Sequence, residues 1–175
     1  MRLPLRLLPD TLPIKVLQGP ARGRWWLAGS YTHGMWLGTY EHRFQRIFAS
    51  YLRPGQVVYD LGANAGLYSI IAASAVGESG SVVAVEPLPR NLRFLRRNIA
   101  LNRFTQVDVI DAAVSDHEGT ARFDVADNVG VGHLSDRGSL EVQLVSLDAL
   151  IAKGRIRPPD IMKIDVEGAA GAVLR

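Results

Sequence analysis

The chain has 175 residues, 47% hydrophobic and 21% charged, with no cysteine and a formal charge of +3. That is the make-up of one globular domain with room for a core. The missing thiols exclude disulfides, thiolate metal sites and a cysteine nucleophile, and His33, His42, His117 and His133 lack metal-ligand spacing, so no metal is expected.

Taken in chain order, Leu3, Leu5, Leu7 and Leu8 are interrupted by Pro4, Pro9 and Pro13. The stretch is too short and broken for a signal-peptide core, and no apolar run reaches membrane-spanning length, so a cytoplasmic chain without a membrane partner is expected. Ile14–Leu17 and Arg24–Leu27 flank Gly19-Pro20 and Gly23, which predicts a small hairpin in a loop-rich segment, 1–39. Trp25, Trp26 and Trp36 read as packing residues of that segment. Phe44, Ile47, Phe48, Tyr51 and Leu52 then recur at helical spacing before Arg53-Pro54-Gly55, predicting an amphipathic helix over about Tyr40 to Leu52. It opens a second unit, 40–175.

Val57–Leu61 is a short apolar strand, followed by a glycine turn and a helical run from Leu67 to Val76. Val82–Val85 is a second strand, Pro87 and Pro89 open a helix, and Val107 to Val114 reads as a third strand. This alternation predicts a parallel sheet with helical crossovers. Arg90, Arg93, Arg96 and Arg97 fall on the helix face opposite Leu92, Leu95 and Ile99. They read as a solvated face rather than the basic stripe that nucleic acid requires. Beyond it, Ala121, Phe123 and Val125 alternate, as do Val142 and Leu144, which predicts an inserted hairpin around a polar loop from Asp127 to Ser139. Leu147–Ile151 reads as a short helix, and Ile161–Val166 as the fourth main strand.

The main chemical signal is Asp60-Leu61-Gly62-Ala63-Asn64-Ala65-Gly66, at the end of a strand and the start of a helix, where open α/β sheets bind ligands. Glu86 ends the next strand, placed to accept hydrogen bonds from both ribose hydroxyls of an adenosine-containing cofactor. A dinucleotide fingerprint laid on Gly62 requires glycine where Asn64 and Leu67 stand, which disfavours a pyrophosphate. S-adenosylmethionine has no phosphate and carries a sulfonium cation, and a carboxylate such as Asp60 suits its amino group or positive region.

Asp60-x-Gly62-x-Asn64-x-Gly66, Ala84-Val85-Glu86-Pro87, Ala113-Val114-Ser115-Asp116 and Lys163-Ile164-Asp165-Val166-Glu167-Gly168 together resemble the FkbM-type S-adenosylmethionine-dependent methyltransferases, and Gly38-Thr39-Tyr40-Glu41 also fits. The resemblance implies an α/β, Rossmann-like class I methyltransferase fold. It implies O-methylation of a hydroxyl on a small acceptor, a sugar or a secondary metabolite. It carries Asp60, Gly62, Asn64 and Gly66 over as the cofactor loop and Glu86 as the ribose ligand, with adenine near Asp111-Ala112. Tyr40 and Glu41 are placed to close over the cofactor.

Lys163, Asp165 and Glu167 alternate and so share one face of the fourth strand. Charges there need a partner, solvent or a function. One reading sets Asp165 beside the transferred methyl, orienting or deprotonating the acceptor with Glu167 assisting; the other pairs Lys163 with Asp165 or Glu167 as a structural contact. His133, in a glycine-rich loop, is a weaker candidate base. Family members read on from Glu-Gly-Ala into a glutamate, where this chain has Ala170, and three more strands are expected after the fourth. The fold is therefore expected to be C-terminally incomplete, with the first four main parallel strands, the inserted hairpin, and an open sheet edge that invites dimerisation. Two alternatives stay open: a cofactor-binding but inactive module, and a nicotinamide-dependent oxidoreductase resting on shared topology alone.

Overall fold

A computed structural model describes residues 8–125, 132–134 and 138–166. In chain order the elements are β1 (Pro13–Lys15), β2 (Trp25–Leu27), α1 (His33–Leu37), α2 (His42–Tyr51), β3 (Val57–Leu61), α3 (Leu67–Val76), β4 (Ser81–Glu86) and α4 (Pro89–Leu101). There follow β5 (Val107–Asp111), β6 (Ala113–Val114), β7 (Gly119–Val125), β8 (Gly132–Leu134), β9 (Leu140–Val145), α5 (Leu147–Ala152) and β10 (Ile161–Ile164).

The central sheet has the order β10-β3-β4-β5, with every neighbouring pair parallel. The apolar composition of β3 and β4 follows from this place, because inner parallel strands are covered on both faces. Alternation then divides their side chains. Val58, Val82 and Ala84 pack with α3 and α4, whereas Val57, Tyr59, Leu61, Val83 and Val85 pack with Ile156 and with Leu147, Leu150 and Ile151 of α5. The chain has the α/β, Rossmann-like fold that its strand–helix alternation predicts.

Val16, Trp26 and Met35 of the N-terminal segment belong to the same core cluster as α3 and α4. Asn98 of α4 secures that contact. Its Oδ1 accepts from the Leu27 amide at 2.9 Å, while its Nδ2 donates to Ser30 Oγ at 3.0 Å and Ala65 O at 2.9 Å.

Four local expectations change. The third strand does not run unbroken from Val107 to Val114: β5 leaves the parallel sheet at Asp111, and β6 pairs instead with β9. The inserted hairpin, β7 with β9, is the middle of a second sheet of order β6-β9-β7-β8. An isolated hairpin is marginal in water; here Ala113, Phe123, Val142 and Leu144 bury one face against Leu88. Residues 33–37 form a helix, α1, closed by Gly38 at φ 74°. Finally, the apolar stripe of α2 is largely uncovered, with Phe44 69%, Ile47 45% and Tyr51 66% exposed. These residues, with Phe48 and β10, line an open groove of about 410 Å³.

Candidate functional site

The turn between β3 and α3 crosses the C-terminal edge of the parallel sheet. Gly62 has φ 74°, and a Cβ there would collide with the carbonyl of Asp165, so the end of β3 can pass the end of β10 only with glycine. Gly66 has φ 94°, and its Cβ would sit 2.6 Å from Leu95 Cδ1 of α4. Asn64 is left-handed at φ 51°, a conformation asparagine tolerates. Its Oδ1 accepts from the Ala65 amide at 2.7 Å, and the Gly62 and Ala63 amides both donate to Val85 O at 3.0 Å. The turn is thus held against β4 on one side and packed under α4 on the other.

Glu86 closes β4 beside it and is 4% exposed. Its Oε2 accepts from the Asn64 amide at 2.8 Å; its Oε1 accepts from the Leu88 amide at 3.0 Å and from Asn91 Nδ2 at 3.1 Å. Burial pushes its pKa above the usual glutamate value, against the three hydrogen bonds that favour the charged form. Asp111 stands in register with Glu86 on β5 and is exposed, 3.5 Å from Arg96, and Ala112 behind it is buried. The turn, Glu86, Asp111 and Ala112 therefore share one stretch of the sheet edge.

A second group gathers where β10 meets β3. Lys163 and Asp60 are directly paired in the strand register. Lys163 Nζ lies 3.1 Å from Asp60 Oδ1 and 3.5 Å from Asp165 Oδ2, and it donates to Gly62 O at 3.0 Å. Asp60 is wholly buried, and Ser69 Oγ donates to its Oδ2 at 2.6 Å. Asp165 has a largely exposed side chain and lines the groove with Glu41 and Tyr68. Tyr68 donates its hydroxyl to Glu41 Oε2 at 2.7 Å, and Glu41 is itself left-handed at φ 44°. Burial, and then the Glu41 carboxylate, raise the pKa of both Tyr40 and Tyr68.

The structure thus sets Asp60, Gly62, Asn64, Gly66, Glu86, Asp111 and Ala112 along one edge, and puts Glu41 with Asp165 in the groove. Glu167 lies outside the described residues. His133 pairs through its backbone with Asp124, in the second sheet. The Lys163–Asp60 pair and Tyr68 are absent from the sequence reading. A signal for the pair existed: an aspartate inside an otherwise apolar strand needs a buried counter-charge. The register that selects Lys163 is a tertiary fact.

The residues at this edge fit an adenosyl sulfonium. Glu86 keeps a free lone pair on Oε2 for a ribose hydroxyl, Asn64 stands where a pyrophosphate loop requires glycine, and Glu86, Asp111 and Asp165 bring negative charge to the strand ends. Among the described residues, no group of carboxylates and histidines is arranged to hold a metal ion, and no helix is long and apolar enough to cross a membrane.

Residues 60–175 match the family model described as the methyltransferase FkbM domain. The hexuronic acid methyltransferase AglP of Haloferax volcanii is 29% identical over 122 residues, 68% of this chain and 48% of that protein. A protein-L-isoaspartate O-methyltransferase of Methanothrix thermoacetophila is 36% identical over 59 residues, 34% of this chain and 28% of that one. Among solved structures, a precorrin-6y C5,15-methyltransferase from Geobacter metallireducens aligns over 41% of this chain and 38% of its own, with 26% identity and a TM-score of 0.38. The chain spans about half the length of AglP.

Proposed function

The chain belongs to the FkbM methyltransferase domain family, whose cofactor is S-adenosylmethionine, and from that membership we propose that it methylates a hydroxyl oxygen on a sugar or secondary metabolite. The observation that carries the reading is Glu86, a buried carboxylate at the end of β4 that also accepts the Asn64 amide of the glycine turn. Glu86 Oε2 accepts the Asn64 amide and keeps a second lone pair, so Glu86 can take one ribose hydroxyl while keeping the turn in place. Asp111 and Ala112, in the adjacent register, would border the adenine.

The cofactor supplies an electrophilic methyl group; the chain supplies orientation and proton removal. Asp165 is the residue proposed to accept the hydroxyl proton as the carbon–oxygen bond forms, being exposed in the groove and adjacent to the turn. Glu167 is proposed to assist it, from its place in the sequence. The groove between α2 and β10, apolar along Phe44, Phe48 and Tyr51 and charged at Glu41, Lys163 and Asp165, would hold the acceptor. Much of the rate gain would come from holding oxygen, carbon and sulfur in line. A sugar acceptor is supported by the name of AglP, a hexuronic acid methyltransferase. The proposal places the protein in the cytoplasm. It also allows pairing of two chains through the edge of β10, where Met162 is exposed beside Phe44, Ile47 and Tyr51.

Titration calorimetry tests the cofactor half. Glu86→Ala should weaken S-adenosylmethionine binding roughly 10- to 100-fold, the loss of hydrogen bonds to a charged group. An unchanged affinity overturns the assignment. Formation of S-adenosylhomocysteine with candidate acceptors tests the other half, and binding without turnover on any acceptor would favour the inactive-module reading.

A further inference from the structure

We infer that Lys163 is a positioning residue of the proposed methyl-transfer site, tying the glycine turn to Asp165. The inference rests on the function proposed above. Three acceptors from separate parts of the chain meet at its ammonium: Asp60 Oδ1 at the end of β3, Gly62 O inside the turn, and Asp165 Oδ2 just past β10, at 3.1, 3.0 and 3.5 Å. The Tyr68 ring of α3 lies 5.1 Å away on a further side. The Gly62 carbonyl accepts a hydrogen bond from the ammonium, while the Asp60 and Asp165 carboxylates face it as ion-pair partners.

Neutralising the buried Asp60 would need only the first contact. The other two reach functional ground. The Gly62 carbonyl belongs to the residue whose amide donates to Val85 O, so Lys163 and β4 hold the first residue of the turn between them. Asp165 is otherwise largely exposed, and Lys163 restrains it on the side facing the turn. The side chain of Lys163 is only 15% exposed, and burial pulls its pKa down; the Asp60 and Asp165 carboxylates outweigh that and set it above the usual lysine value. The charge that makes the three contacts is therefore retained at neutral pH.

The test uses S-adenosylhomocysteine, which lacks the sulfonium charge, so repulsion between Lys163 and a cation does not enter the comparison. Lys163→Met leaves Asp60 without its counter-charge, and should both lower the melting temperature and weaken calorimetric binding at least about tenfold. Lys163→Arg keeps the charge beside Asp60 but replaces a point donor with a planar fork. It should melt near the wild-type temperature yet bind at least about threefold more weakly, and it decides the matter if the methionine variant does not fold. Wild-type affinity in Lys163→Arg overturns the inference. So does an affinity that falls only in step with the melting temperature, since either result describes an ion pair with a purely structural role. A wild-type chain that binds no S-adenosylhomocysteine overturns the proposed function itself, and with it this inference.

Discussion

Glu86 is held in an environment that works against its charge, and binding should reverse that balance. Its pKa is raised by burial, so between the ordinary glutamate value and the raised one the folded chain holds a proton that the unfolded chain has lost. The stability Glu86 contributes is complete below that window and is lost as pH rises through it. A ribose hydroxyl donates to the ionised form, so cofactor affinity should move the other way. We expect affinity for S-adenosylmethionine to rise with pH across the window, with protons released on binding. Calorimetry in buffers of different ionisation enthalpy measures that release, and Glu86→Ala should abolish it; a pH-independent affinity in the wild type counts against Glu86 as the ribose ligand. Its position was legible in the sequence, because a single acid closing an apolar strand after a glycine turn is a local pattern. Its hydrogen bond to the Asn64 amide was not, since that depends on the left-handed backbone at Asn64.

At the level of elements, legibility follows how far each element is determined by its own residues. The bounds of β3 and α3 read directly, because buried parallel strands are continuous apolar runs and the turn between them is marked by glycine. The break between β5 and β6 did not, because Val107 to Val114 stays apolar while its partner changes from β4 to β9. The period of α2 was read, but periodicity does not say what covers a face, and Phe44, Ile47 and Tyr51 stand exposed. The docking of β2 on α4 was equally hidden, since it runs through two asparagines one helical turn apart. Asn98 is buried, joining Leu27, Ser30 and Ala65, whereas Asn102 makes its bonds to the Trp25 backbone at the surface. Asn98→Leu strands a buried amide and a buried carbonyl, at about 1–3 kcal/mol each. We expect it to lose roughly 2 kcal/mol or more in urea unfolding, and Asn102→Ala under about 1 kcal/mol, because water replaces its partners. Equal losses would place the anchor of the N-terminal segment elsewhere than Asn98.

Across the whole molecule, a net charge of +3 conceals an opposite local sign. Each of the four parallel strands carries a carboxylate at or next to its C-terminal end, Asp60, Glu86, Asp111 and Asp165, and Lys163 stands between Asp60 and Asp165. Arg90, Arg93, Arg96 and Arg97 of α4 are exposed, and of these Arg96 reaches the edge at Asp111, 3.5 Å away. The field at the edge therefore favours a cationic ligand and opposes a pyrophosphate, which separates the two cofactor readings open at the level of topology. Binding to the folded chain alone stabilises it, by about 2.7 kcal/mol at a hundred times the dissociation constant. In a domain of this size each kcal/mol moves the melting temperature by about 2–4 °C. S-adenosylmethionine at that excess should raise it by roughly 5–10 °C, NADH at the same concentration should not move it, and added salt should shrink the shift as the acidic edge is screened. A shift with NADH and none with S-adenosylmethionine would reverse the cofactor assignment, because nothing else in the comparison changes but the ligand bound at that edge.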